Sequence, residues 1–513
     1  MKHLLFFISP LLVLVLSTSI CGAQTSLEGI GLQNGDYAVG YMHYTVDDSS
    51  RTYKRTGDWN DKSIFRPMAV SVWYPGVIDP RARMANNTVL SYMRVLTKEE
   101  EWEHLPDEQI LNWFYYPNTS RNRGHLKEAA TAYKNLKPEN DTFPVIIYSP
   151  SYQAASVENF ALCEYLASHG YIVISSPSRG ASSRPMEGGT VKDMETHARD
   201  AEFLIKEAMK NSNADKRGIA LMGFSFGGLS NSLVKMRNGI IKAVVSLDGS
   251  ERYQFQTLSK SSYFDPNKID VPYMHLSQKE IPDDVLAAEK IDPTLNTEFA
   301  LYDSLRYSSA YKLRFTNMTH AYFSTLGVLF QDRDTRQDKS DVEIMESYRL
   351  ACLYTLNFLN AHLKGDIGGV TFISNEPERN GIRPGLILKE SKEAASRPFK
   401  FEDFNNLAAE RKYDGLDVLY LDLKKKHKDW QINEGNLNNL ALQMLFNRET
   451  SQNSIKVLLF AVKQFPQSAN LYDSLAEAYL FVGDKNLAVK NFKKSLSLDK
   501  SNENAIHRLK QLK

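Results

Sequence analysis

Ile219-Ala220-Leu221-Met222-Gly223-Phe224-Ser225-Phe226-Gly227-Gly228, running on into Leu229-Ser230-Asn231-Ser232-Leu233-Val234-Lys235-Met236, is the stretch on which the reading of this chain turns. Its first four residues are an apolar run long enough for a buried strand. Beyond Gly228, Leu229, Leu233 and Met236 recur at helical spacing. Between strand and helix stands Gly223-Phe224-Ser225-Phe226-Gly227, of the form G-x-S-x-G, in which a serine on a sharp strand-to-helix turn holds its hydroxyl clear of the sheet. A residue with a Cβ is strained at the serine, and the flanking glycines let strand and helix pass without clashes. The pentapeptide alone is weak evidence, and a plain glycine-rich turn is the alternative. The strand–turn–helix context favours the elbow.

The same alternation extends in both directions. Pro144–Ser149, Tyr171–Ser175, Lys242–Leu247, Val271–Leu276 and Ala310–Phe315 read as strands. Val157–His169, Asp193–Met209 and Ile344–Leu363 read as helices between or after them. Near-continuous apolar strands alternating with helices predict an α/β fold, a mostly parallel sheet covered by helices on both faces. Upstream, Tyr37–Tyr44 and Met68–Tyr74 alternate as strands. Residues 86–140 form a polar, aromatic-rich insertion with helical character, including Trp102, Trp113, Phe114, Tyr115 and Tyr116. Packing over the core and service as a lid or substrate wall are both open to it.

The 513 residues exceed what one core organises and imply two or three domains. Lys+Arg 62 against Asp+Glu 61 leaves a net charge of +1, so no global field favours nucleic acid or an anionic membrane. Lys2 and His3, the apolar run Leu4–Leu16 and Cys21-Gly22-Ala23 have the pattern of a signal peptide over 1–23, with a mature start at Gln24 and export to the periplasm or medium. Ile20 before Cys21 is too bulky for a lipoprotein site. No other run is long enough to span a bilayer. Cys163 and Cys352, both in apolar helical patterns, are expected as buried free thiols. No C-x-x-C or H-E-x-x-H pattern supports a metal, and no cofactor is expected.

The catalytic unit is read as 24–366 and a polar connection as 367–405, with Gly368-Gly369, Pro377 and Pro384. The tail, 406–513, is helical throughout. Tyr472, Leu475, Ala476, Tyr479, Gly483, Ala488 and Phe492 follow the spacing of a tetratricopeptide repeat, with Ala441, Leu442, Leu445, Leu458, Ala461 and Pro466 one period earlier. A plain helical cap is the alternative. Because one or two repeats rarely stand alone, the tail is expected to dock on its own catalytic domain or to bind another chain.

A serine hydroxyl needs a base to become a nucleophile. On an elbow of this kind the chain order is Ser, then Asp or Glu, then His. His320, in the loop after the strand Ala310–Phe315, is the expected base; His275 lies within a strand pattern and is expected in the core. Two places offer the acid. Asp248 ends the strand after the elbow unit, where a carboxylate can fix the imidazole tautomer or simply cap a turn. Glu280, Asp283 and Asp284 lie in the loop one strand later.

Over residues 36–366 the chain resembles the platelet-activating factor acetylhydrolase-like branch of the α/β-hydrolases, close to the dienelactone hydrolases. The resemblance rests on Ser71-Val72-Trp73-Tyr74-Pro75, Leu166–Val173, Gly223–Gly228, Leu247-Asp248-Gly249, and His320 with Phe323. It implies that the acid is Asp248. Dienelactone hydrolases proper use a cysteine nucleophile, and Ser225 argues against that activity. The oxyanion hole is expected from the backbone N–H of Phe226 and one from the turn after the Val145 strand. The family has His-Gly at that turn; here Pro150-Ser151-Tyr152 stands there, making Tyr152 the positional match and putting the turn and the substrate range in question. The resemblance implies a serine esterase acting on a small-molecule or lipid ester, with a short acyl group. A peptidase or amidase of prolyl oligopeptidase type, and a non-catalytic hydrolase-fold binding protein, are the alternatives.

Overall fold

Strands buried on both faces must be apolar along their whole length, and six of them organise this protein. The computed structural model describes residues 24–55, 62–79, 81, 85–99, 105–331, 337–447 and 449–512. The expected signal segment 1–23 and Trp102 lie outside the described residues. The chain divides into two compact units, one up to Ala395 and one from Ser396.

The first unit carries, among the described residues, a twelve-stranded sheet. Its strands are β1 (Ala38–Tyr53), β2 (Ile64–Val77), β3 (Asn86–Thr88), β4 (Ala129–Lys134), β5 (Lys137–Pro138) and β6 (Phe143–Ser149). There follow β7 (Ile172–Ser175), β8 (Ala214–Phe224), β9 (Ile241–Leu247), β10 (Tyr273–Ser277), β11 (Ala310–Phe315) and β12 (Ile387–Lys392). The spatial order is β12-β11-β10-β9-β8-β6-β7-β2-β1-β4-β3, with β5 beside β2. From β7 through β6, β8, β9 and β10 to β11 every pairing is parallel. β1 and β2 form a long antiparallel ribbon, and β2 joins β7 antiparallel.

Side chains alternate across this sheet into two cores. Ile146, Tyr148, Val173, Ala220 and Met222 face the helices Phe160–Ser168 and Asp341–Leu359. Val145, Ile147, Ile172, Ile174 and Leu221 face the helices Val191–Ala208 and Phe226–Arg237. The fold class is α/β with a mostly parallel sheet covered on both faces. Capping boxes open two of these helices, Thr190 with Asp193 and Ser340 with Glu343. Cys163 and Cys352 are buried and free. A buried charge couples sheet to helix: Arg66 of β2 pairs bidentately with Asp200 at 2.9 and 2.6 Å.

Two segments differ from their sequence reading. The insertion 86–140 is part strand, because β3, β4 and β5 extend the sheet around its helices. Its Val89, Tyr92, Met93, Ile110 and Leu111 are buried in the first core. Tyr92 accepts from Trp73 Nε1 at 2.9 Å and donates to Glu164 at 2.7 Å. The stretch read as a connection, 367–405, instead folds largely with the first unit. It makes the helix Ile367–Ser374 and the edge strand β12, which pairs antiparallel with β11. Its polarity is that of an edge strand, solvated on one side.

The second unit consists of the helices Phe401–Glu410, Leu416–Lys426, Glu434–Leu445, Ser451–Gln464, Ala469–Phe481, Lys485–Leu498 and Glu503–Gln511. Leu437, Ala441, Leu458, Ala461, Leu471 and Leu475 are buried between them. Ser468, the N-cap of one helix, donates to Glu434 in the first turn of another, 34 residues earlier.

Candidate active site

The elbow is built by a strained serine and close backbone approaches at the two glycines flanking it. Ser225 has φ 53° and ψ −119°, a left-handed conformation unfavourable for any residue with a Cβ. Two bonds hold it there: its N–H donates to Leu247 O at 3.1 Å, and Ser250 N–H donates to its carbonyl at 2.8 Å. A Cβ on Gly223 would come within 2.4 Å of the Gly227 backbone, and one on Gly227 within 2.0 Å of Ser149 O. Neither position admits alanine without moving main chain. The helix Phe226–Arg237 therefore starts directly behind the serine.

The structure brings Ser225, His320 and Asp248 together. Ser225 Oγ lies 2.9 Å from His320 Nε2, and His320 Nδ1 lies 2.6 Å from Asp248 Oδ2. An ionised carboxylate only accepts, so Nδ1 carries the proton and Nε2 faces the serine with its lone pair. Asp248 follows β9 directly, is fully buried, and has φ 42°. It also accepts from the Tyr253 hydroxyl at 3.1 Å and from Gln278 N–H at 3.1 Å, with Arg252 Nη1 at 3.8 Å. Burial alone would raise its pKa. The bond and charge of His320, the Arg252 guanidinium and the Gln278 amide outweigh burial and hold the carboxyl below its ordinary value.

The carboxylates of the later loop make no described bond to His320. Glu280 pairs with Arg314, and Asp283 and Asp284 are exposed in the first turn of the helix Asp283–Glu289. His275 is buried in β10, where its Nδ1 meets Glu251 at 3.1 Å; Tyr273 donates to the same carboxylate at 2.7 Å. This fully buried carboxylate lies under the elbow, since a Cβ on Gly228 would approach Glu251 Oε2 to 2.9 Å.

The turn after β6 stands beside the serine. The Tyr152 ring meets the Phe226 ring edge-to-face at 5.8 Å. The main-chain N–H groups of Phe226 and Tyr152 donate to no other described residue. Ser151 N–H donates to Glu158 at 2.8 Å and its hydroxyl to the same carboxylate at 2.5 Å, which anchors the turn. Among the described residues no cluster of three or more His, Cys, Asp or Glu is arranged to hold a metal ion.

An elbow serine behind β8, an acid after β9, a histidine after β11, and strands ordered as above define the architecture. The fold is that of the α/β-hydrolases. No family model and no curated protein matches the chain. Among solved structures, a ferulic acid esterase from Streptomyces cinnamoneus is similar over 73% of this chain and 97% of its own, at 16% identity and a TM-score of 0.45.

Sequence reasoning did not single out Gln278, Glu158 or Glu251. Gln278 follows β10 at the carboxyl edge of a parallel sheet, where ligands and functional groups gather. That position was the available signal. Glu158 and Glu251 are lone acidic residues in helical or loop patterns, with nothing local to separate them from surface carboxylates.

Proposed function

We propose that this chain is an exported serine hydrolase that cleaves carboxylic esters through Ser225, His320 and Asp248. The supporting observation is the unbroken bond chain from Ser225 Oγ through His320 to the buried carboxylate of Asp248. His320 takes the serine proton as Oγ attacks the ester carbonyl, and Asp248 stabilises the imidazolium. The N–H groups of Phe226 and Tyr152 receive the oxyanion. Collapse expels the alcohol with a proton from His320 and leaves an acyl-enzyme. Water, deprotonated by His320, then releases the acid and regenerates the serine.

The resemblance to the acetylhydrolase-like branch supports a short acyl group, and the amino-terminal pattern supports export. The 34-residue separation of Ser468 and Glu434 supports reading the second unit as tetratricopeptide-like. Hydrolysis of p-nitrophenyl esters from acetyl to palmitoyl, by the mature chain and by Ser225→Ala, tests the reading. Serine-dependent turnover falling with acyl length is expected. Silence on every ester, with turnover of peptide or amide substrates, would replace it by the amidase reading.

A further inference from the structure

Beside the elbow is a cavity of about 370 Å³ whose wall includes five aromatic side chains, Trp113, Phe114, Tyr115, Tyr116 and Tyr152, with Arg184 beside them and aliphatic and polar residues completing it. We infer that this cavity is a subsite for an aromatic ring of the substrate, an inference that rests on the serine hydrolase reading. Its position follows from two residues shared with the catalytic surroundings. Tyr152 lines the cavity, meets the ring of Phe226 directly after the nucleophile, and carries one of the proposed oxyanion N–H groups. Glu158 also lines it and anchors Ser151 of the same turn. Its main-chain carbonyl accepts from Leu326 N–H, a few residues beyond His320.

The chemistry of the wall selects a ring over an alkyl chain. Aromatic side chains present electron-rich faces and electron-poor edges, and a flat aromatic ligand meets them by offset stacking or edge contact. Phe114 stacks on Tyr116 with 9° between planes, and Tyr116 stacks on Phe330, so the rings are held in fixed orientations. The Arg184 guanidinium already lies 5.5 Å from the centre of the Trp113 ring. A cation and a carboxylate in one cavity favour a π-system, whose face attracts the first and whose edge tolerates the second. A saturated chain gains from neither. Tyr115 is 92% exposed at a backbone φ of 61°, a strained turn that leaves its ring unburied at the cavity.

The aromatic ring belongs to either the acyl or the alcohol half of the ester, and matched substrates separate the two. The full chain is assayed on ethyl 3-phenylpropanoate against ethyl 3-cyclohexylpropanoate, and on benzyl acetate against cyclohexylmethyl acetate. In one pair the aryl member is expected to show kcat/KM about tenfold higher or more, a preference that shrinks in Tyr115→Gly. Glycine accepts the positive φ, which keeps the turn intact. Equal rates within both pairs overturn the inference. If none of the four esters is cleaved, the hydrolase reading fails, and binding decides the cavity separately. Titration with 3-phenylpropanoate and 3-cyclohexylpropanoate, and with benzyl alcohol and cyclohexylmethanol, is followed by tryptophan fluorescence, with Trp113→Phe as the control. Tighter binding of an aryl ligand, with the signal lost in Trp113→Phe, supports the subsite. No difference within either pair overturns it.

Discussion

Gln278 Oε1 accepts the main-chain N–H of His320 at 3.0 Å, while the Gln278 main-chain N–H donates to Asp248 at 3.1 Å. Its Nε2 also donates to the Tyr253 hydroxyl at 2.6 Å, and that hydroxyl in turn donates to Asp248. One residue thus fixes the loop that bears the proposed base and the environment of the proposed acid. Gln278→Ala is expected to lower kcat up to about a hundredfold through misplacement of the imidazole, with KM little changed. Steady-state kinetics on p-nitrophenyl acetate check this, and an unaltered kcat would make Gln278 a packing residue only.

The acid assignment separates two carboxylates. Asp248→Asn removes the charge opposite Nδ1 and favours the wrong tautomer, so kcat should fall by about 10⁴. Glu280→Gln should leave it within about twofold, because Glu280 is an exposed partner of Arg314. The reverse ranking in the same assay would move the acid to the later loop.

The geometry of the elbow has a cost that can be measured. With Ser225 at φ 53°, Ser225→Gly should abolish turnover yet stabilise the first unit by up to about 1 kcal/mol, as the strained Cβ is removed. Urea denaturation monitored by tryptophan fluorescence tests this. A destabilised variant would show that the hydroxyl contacts outweigh the strain.

Burial also sets a pH dependence. His43, His197 and His362 are each pushed down to about 4, chiefly by removal from water. In the unfolded chain they titrate near about 6.5. Stability from keeping them neutral is therefore complete above about 6.5 and is lost as pH falls toward about 4. Glu164, raised to about 7 by burial, acts in the opposite sense, its contribution shrinking as pH rises toward that value. Around His197, Asp200 favours protonation, and Arg66 and Arg179 oppose it. Thermal midpoints between pH 7 and 5 should fall less steeply in His197→Gln than in the parent chain. Identical slopes would contradict a neutral, buried His197.

The parallel strands were legible because burial on both faces demands unbroken apolar runs, and Ala310–Phe315 matches β11 residue for residue. Ser225 and His320 could be singled out because each follows such a run at the sheet's carboxyl edge, whereas the residues alone left Asp248 beside Glu280, Asp283 and Asp284 and only the family resemblance favoured it. The strand β12 was not. In Ile387–Lys392 only Ile387 is buried, while Leu388, Glu390 and Ser391 are exposed, a pattern shared with polar connections. Gln278 and Glu158 were hidden for another reason. Their roles depend on partners 42 and 7 residues away, His320 and Ser151, which only the folded chain brings within bonding distance.

The most direct test of the account is reaction of the mature chain with a fluorophosphonate probe, followed by mass-spectrometric mapping of the modified residue. Stoichiometric labelling of Ser225, greatly slowed in His320→Ala, is expected. Labelling of a different serine, or none by a correctly folded chain, would contradict it.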